Sequence, residues 1–319
     1  MLNYISRRLN LLLINAFILT IIAFLLAQWS NGQSLTDTNY IIDYVKYISA
    51  ILQGDWGSSI DNRLILQQGL TAFASTLELC IISFITAALI AIPLGIFAGF
   101  YPNHFLDYCI MTIALIGLAI PIFWLAVITT MLPRLTGITL PIDGGISPIF
   151  EVPVVSGFML IDTLLAEDLY QLNAFYDRLA HLFLPSIVLS FFLIAEIIRL
   201  TRRSITTVMK SNYIKAAYAN GLSKTRLVLH HVLKNALPSI IHQLRLQLST
   251  IISFAMVIEI VFSLPGAGVW LLNSIKEEDY LALPAAVLII SGFILLFSIF
   301  IDIFLMIISP LKRKSLYVD

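Results

Sequence analysis

Five ionisable residues stand in or beside long apolar runs: Glu78, Glu196, Arg245, Glu259 and Asp302. In hydrocarbon an unpaired charge costs roughly 2.5–3.5 kcal/mol or more, so each must face a water-filled path, another charge or another subunit. His242, Arg245, Ser249 and Ser253 recur at helical spacing, on one stripe about 80° wide. Two readings are open for them. The stripe lines the route of a polar, charged solute, or ion pairs such as Arg245 or Arg199 with Glu196 or Asp302 pin helices together. Glu259, followed by Ser263, Pro265 and Gly266, falls near the end of an apolar run, where a gate or pathway residue is expected.

Covalent chemistry has no foothold in these residues. There is no Gly-x-x-x-x-Gly-Lys-[Ser/Thr] loop to cradle ATP phosphates and no Gly-x-Ser-x-Gly elbow. His104, His181, His230, His231 and His242 make no metal-ligand pattern, and the adjacent pair would point about 100° apart on a helix. Cys80 and Cys109 both fall in apolar runs, where packing is their expected role. The expectation is a non-catalytic chain with neither metal nor cofactor of its own, and without nucleic acid as a partner.

The elements that position these residues follow from composition. Of 319 residues, 59% are apolar and only 12% charged, with mean hydropathy +0.93. A soluble globule carries about 25% charged residues, so the chain reads as an all-α polytopic membrane protein. Six stretches reach or approach the roughly 20 apolar residues a span requires: 9–28, 75–100, 108–132, 182–198, 239–262 and 283–308. Pro93, Pro121 and Pro185 lie in or at the start of spans. Between spans, the segment 29–74 holds an amphipathic stretch (Tyr40, Ile41, Tyr44, Val45, Ile48, Ile51, Leu52) suited to lie along the lipid interface. The segment 133–180 is rich in Pro, Gly and acids. The chain thus divides into a first span plus external loop (1–74), a core (75–308) and a short tail (309–319).

Charge sets the orientation. Thirteen Lys and Arg, including Arg7, Arg8, the run Arg199–Lys234 and Lys312–Lys314, fall on one side of the membrane and five on the other. Acids such as Asp37, Asp43, Asp55, Asp61, Asp143 and Glu151 gather on the basic-poor side. By the positive-inside rule both termini and the 199–238 segment are cytoplasmic.

That basic segment carries more than charge. From Tyr213 through Ala216, Ala217 and Ala219 it is helix-permissive, Gly221 is suited to a left-handed stop, and Ser223 to capping a second helix that reaches Pro238. A projecting helix pair with small residues at 216, 217, 219 and 221 fits a groove on a partner.

Lys215-Ala216-Ala217-x-x-x-Gly221 resembles the EAA loop of ATP-binding-cassette (ABC) importer permeases, with Lys215 where the broad motif has Glu. Ile198-Arg-Leu-Thr-Arg202, His231-Val-Leu-Lys-Asn-Ala-Leu-Pro238, Glu259-Ile-Val-Phe-Ser-Leu-Pro265-Gly-Ala-Gly268, Asp279-Tyr280, Gly54-Asp-Trp-Gly57, Thr76-Leu-Glu78 and Pro121-Ile-Phe-Trp124 are similar to its dipeptide/oligopeptide branch, and within it to Sap-type permeases. The resemblance implies a type I importer permease fold of about six spans in a bacterial inner membrane. Tyr213, Lys215, Ala216, Ala217, Gly221, Leu222, Asn235 and Pro238 would form the cytoplasmic coupling element. The implied partners are a second homologous permease, two ATPase subunits carrying ATP and Mg, a periplasmic solute-binding protein and membrane lipid. Its cargo would be peptides, including cationic antimicrobial ones, or polyamines. An ion-gradient-driven secondary transporter is the alternative. It would show an internal repeat with paired broken helices, and the sequence shows no repeat.

Overall fold

The computed structural model describes residues 2–30, 39–166, 170–219, 221–223, 227–279 and 281–308. The 309–319 tail lies outside them, as do Lys224, Arg226 and Tyr280, and of the Lys215 side chain nothing is described. The chain is helical: α1 Leu2–Ser30, α2 Tyr40–Leu52, α3 Ile65–Phe100, α4 Phe105–Ala119, α5 Ile122–Thr136, α6 Met159–Leu165, α7 Gln171–Met209 and α8 Asn212–Ala219. A π-helical turn Leu227–Val232 leads into α9 Leu233–Leu246, followed by α10 Leu248–Phe262, α11 Ala267–Lys276 and α12 Ala282–Ile308.

Among the described residues, α1, α3, α7 and α12 are each long and apolar enough to cross a membrane, and the number is six if two bent pairs each count as one span. The six spans read from sequence therefore correspond to helices, with two corrections. The third is not continuous: α4 and α5 meet at 93°. Pro121 has no N–H to give the Gly117 carbonyl, and the residue before it is extended (Ile120 φ −75°, ψ 123°). Pro93 and Pro185, by contrast, stay inside α3 and α7. The fifth also breaks, by 53°, between α9 and α10, where the Gln247 N–H bonds the Leu244 carbonyl three residues back (3.0 Å) and tightens the last turn. Of the four long helices α7 is the most enclosed, 72% of its apolar window being buried against 28% or less in the others.

Residues group into two compact units. The first comprises 1–79, 130–185 and 255–299; the second comprises 80–129, 186–254 and 300–319. In the first, α2 packs on α1 through Tyr44, whose ring meets Phe17 and Phe24 edge-on and whose hydroxyl bonds Thr20 (2.8 Å). The amphipathic stretch read from sequence is thus a helix that half-buries its aromatics and leaves Ile41, Val45 and Leu52 exposed. In the second, α3 and α7 touch through Gly95 and Gly99. A Cβ at Gly95 would lie 2.6 Å from Thr201 Cβ, and one at Gly99 2.6 Å from Ile205 Cβ. Glycine is required here for close approach.

Candidate functional site

In the second unit, α7 ends at Met209 and α8 folds back on it. Ile214 drives this: it is buried with Ile205, Leu227, Val232, Ala236 and Ile240, and Ile96, Phe100 and Ala217 pack around them. The Leu222 N–H then reaches the Ala217 carbonyl (3.4 Å) across Gly221, whose φ is +79°. This is the 6→1 bond and left-handed residue of a Schellman stop. The helix, glycine stop and second helix read from sequence are present, but the second helix differs. It opens with a π turn, keeps Pro238 inside α9 and continues to Leu246 rather than ending near the proline.

The coupling candidates separate by burial. Tyr213, Ala216, Gly221 and Asn235 are exposed, whereas Pro238 is buried and Ala217 and Leu222 are half-buried. Ala217 therefore belongs to the packed side, and the small outward face consists of Ala216, Ala219 and Gly221. A Cβ on Gly221 would meet no atom of this chain within 4 Å. Asn235 bonds the His231 carbonyl (2.7 Å), the carbonyl one helical turn back. Near the base of this element the Arg202 guanidinium forks onto Asp107 (2.5 and 2.7 Å), and Asp107 also accepts the Asn103 N–H (2.8 Å).

The polar stripe is divided by the bend at Gln247. His242 and Arg245 lie on α9, Ser249 and Ser253 on α10, so a single straight stripe does not form. Arg245 reaches Asp302 (3.2 Å), both side chains largely buried, and Arg199 holds both oxygens of Glu196 at 2.7 Å. Gln247 adds a 3.4 Å contact to Glu196. Both charge pairings read from the sequence are therefore made within the chain. Ser249 and Ser253 are exposed on it.

In the first unit, α10 ends in a second Schellman stop: Leu264 N–H bonds the Glu259 carbonyl (3.0 Å) across Ser263, whose φ is +52°. A serine there is strained. Glu259 is 1% exposed and accepts the Gly268 N–H (2.8 Å) at the start of α11, while Thr76 accepts the Ala267 N–H (2.9 Å). A Cβ at Gly266 would collide with the Glu259 carboxylate. Pro265 and Ser263 are exposed, Glu259 and Gly266 buried. The four gate candidates are thus brought together, with Glu259 buried and clamped to the turn through the Gly268 N–H.

Sequence reasoning missed the most buried charge. Arg178 is fully buried and bonds Glu78 through Nε (3.0 Å) and a second nitrogen, the Gly145 carbonyl (2.8 Å) and Ser75 (3.3 Å). Glu78 in turn accepts the Leu160 N–H (2.6 Å). Next to Arg178, Asp177 holds both the N–H and hydroxyl of Ser147 (2.7 Å each). The segment 145–160 is thereby nailed to α3 and α7. Just beyond it on α6, burial pushes the Asp162 carboxyl up, but the Ser156 hydroxyl and N–H and the Gly157 N–H outweigh that and hold it below the usual carboxylate range. The only hint of Arg178 in the sequence was a lone Arg at the head of an apolar run.

Among the described residues the chain is helical, with two bent apolar helix pairs and a surface helix–glycine–helix element. It matches the family of binding-protein-dependent transport system inner membrane components over residues 91–314, and the chain belongs to that family. It is 37% identical over 318 residues (99% of both chains) to the putrescine export system permease protein SapB of Escherichia coli K12. It is 31% identical over 338 residues (99% of this chain, 100% of the other) to the di/tripeptide transport system permease protein DppB of Pseudomonas aeruginosa. Its fold matches a chain of the methionine ABC transporter MetNI in inward-facing conformations with TM-score 0.53 and 16% identity, covering 77% of this chain and 96% of that one. The chain is therefore a permease subunit of an ABC transporter in the inner membrane, a non-catalytic role. The two bent helix pairs, a feature associated above with gradient-driven carriers, occur here in an ABC permease.

Proposed function

We propose that this chain is one of two homologous permease subunits that carry peptides, or small cationic solutes such as polyamines, across a bacterial inner membrane. Two separate ATPase subunits, carrying ATP and Mg, drive it through the 212–246 helix pair, and an external binding protein delivers the solute. Both termini and that helix pair face the cytoplasm. This orientation is supported by the excess of Lys and Arg at that end of the spans. The related permeases are named for putrescine export and for di/tripeptide transport, and the acidic external segments suit a cationic cargo through their long-range field.

One observation carries the coupling role. α8 is seated by a buried apolar cluster on one side and presents Tyr213, Ala216, Ala219 and Gly221 outward on the other, with open space around Gly221. Nucleotide-driven closure of the ATPases would push on this element, shifting the permease between two conformations it already possesses. Ser249 and Ser253, exposed on the isolated chain, remain candidates for lining the solute path, with His242 beside them on α9. Glu259, Ser263, Pro265 and Gly266 act at the gate.

The test compares Gly221→Val with Gly221→Asn. Valine disfavours the left-handed conformation, which asparagine tolerates. Pull-down of the ATPase subunits and ATP-driven uptake in proteoliposomes are both lost in the valine variant, and asparagine retains more of each. If association and uptake both survive valine, the coupling assignment is wrong.

A further inference from the structure

The turn Gly54-Asp55-Trp56-Gly57, singled out by the sequence, has no part in coupling or in the gate. Both glycines are left-handed (φ +82° and +81°), and the Asp55 carboxylate accepts the Gly57 N–H (3.2 Å). The result presents Asp55 and Trp56 side by side at the wall of a cavity of about 320 Å³. The rest of that wall comes from α1, α2 and the start of α12. On α2, Asp43 and Tyr47 are one helical turn apart and face the cavity together, and Phe24 and Gln28 of α1 stand across from them. Trp56 also borders a second cavity of about 350 Å³ with Gln67, Thr71 and Ser156.

The chemistry of this lining is one-sided. It carries two carboxylates and three aromatic rings, and no Lys, Arg or His. Lys46 meets Asp43 at 3.7 Å from a side chain 74% exposed, a surface pair that competes weakly. Burial pushes the Tyr47 phenol up to about 12, with Tyr44 adding to the effect, so at neutral pH Tyr47 meets a ligand as an uncharged hydroxyl and ring. Carboxylates beside aromatic faces favour an organic cation, and the apolar remainder of the wall suits an alkyl stem running in from the charged head. The volume falls in the range of small-ligand sites.

We propose that this cavity binds an alkylammonium group, held between the Asp43 and Asp55 carboxylates and against the rings of Tyr47 and Trp56. The site reaches beyond the coupling reading, since occupancy requires no ATPase. A free amine and an aminophospholipid headgroup both present this chemistry.

The experiment uses the full-length chain, purified in its complex and placed in nanodiscs of phosphatidylglycerol alone. Spermidine is titrated by calorimetry, with 1,5-pentanediol as the uncharged control. Spermidine binds and the diol does not. The Asp43→Asn/Asp55→Asn pair weakens spermidine about tenfold or more, and Trp56→Leu about threefold or more. Asp61→Asn/Asp143→Asn, which removes external charge outside the cavity, changes affinity less than twofold. In a second arm, native mass spectrometry of complexes from phosphatidylethanolamine-containing nanodiscs finds that lipid retained by the unmodified chain and lost from the Asp43/Asp55 variant if the headgroup is the source. Should the double variant fail to fold, Asp43→Asn and Trp56→Leu are read singly. Spermidine binding unchanged by the cavity variants, or reduced equally by Asp61→Asn/Asp143→Asn, with no lipid retained, overturns the proposal. ATPase association unaffected by cavity variants separates its failure from that of the coupling reading.

Discussion

The Glu78–Arg178 pair makes the sharpest quantitative demand on this structure. Arg178 is fully buried and Glu78 is 4% exposed, so solvent screening does little to weaken their interaction. Replacing either alone by Met leaves the other charge buried without its counterion, which costs about 3–5 kcal/mol. Replacing both removes that penalty but orphans the Gly145 carbonyl and the Leu160 N–H, each worth about 1–3 kcal/mol when left buried and unpaired. The double variant therefore falls about 2–6 kcal/mol below the unmodified protein, against about 6–10 kcal/mol for the summed singles, a mid-range shortfall of about 4 kcal/mol. Equilibrium unfolding in mixed micelles titrated with SDS measures all three. Hydrogen exchange supplies a local readout, because amides between Gly144 and Leu160 lose protection in both singles while those of α8 do not. Singles that each cost less than about 1 kcal/mol, as a surface pair would, or strict additivity of the two, would refute the assignment of this pair as the anchor of the 145–160 segment.

Two further outcomes follow from contacts already described. Gly99→Ala overpacks the α3–α7 approach, where its Cβ would sit 2.6 Å from Ile205 Cβ and 3.0 Å from the Arg202 carbonyl, and lowers stability by about 1–3 kcal/mol. Gly292→Ala, with nothing within 4 Å on α12, is neutral or gains up to about 1 kcal/mol; thermal melts in detergent compare the two. Asp162, held below the usual carboxylate range, contributes stability that is present above the unfolded value of about 3.9 and lost as pH falls through the folded one. Melting temperature measured from pH 7 downward therefore falls more steeply below about pH 4 in the unmodified chain than in Asp162→Asn. Identical acid limbs would remove Asp162 from the account.

What the sequence made legible was whatever depends on neighbours along the chain. Tyr44, Val45, Ile48, Ile51 and Leu52 recur with a helical period, and that stretch is a helix. Gly221 after a run of small residues is the stop it resembles. Apolar length located the long helices and bent helix pairs that are apolar enough to cross a membrane. Illegible were the events set by partners far away in the chain. Of Pro93, Pro121 and Pro185, only Pro121 stands at a break, whereas the other two stay inside α3 and α7. The bend at Gln247 has no proline or glycine to announce it. Arg178 sits 100 positions from Glu78 and Arg202 95 from Asp107. No local pattern could reveal that these charges were paired, and the stripe of His242, Arg245, Ser249 and Ser253 looked continuous only on the assumption of a straight helix.

The two Schellman stops bear on how such a chain can move. Each has a left-handed residue and a bond reaching five residues back, Leu222 to Ala217 in one and Leu264 to Glu259 in the other. At Gly221 the conformation costs little, since glycine adopts it freely, and a Cβ there would meet no described atom within 4 Å, so a partner that reshapes this turn works against the Schellman bond. At Ser263 the left-handed residue carries a side chain, a strain of about 1–2 kcal/mol. Four contacts hold it there: Gly144 N–H to the Phe262 carbonyl (3.0 Å), Pro265 against Gly145, Glu259 to Gly268, and Thr76 to Ala267. A turn kept strained by that many constraints releases its strain when they part together, not singly. The candidate gate is thereby built to resist small fluctuations and to yield to a concerted shift, whereas the candidate coupling element is built to be gripped.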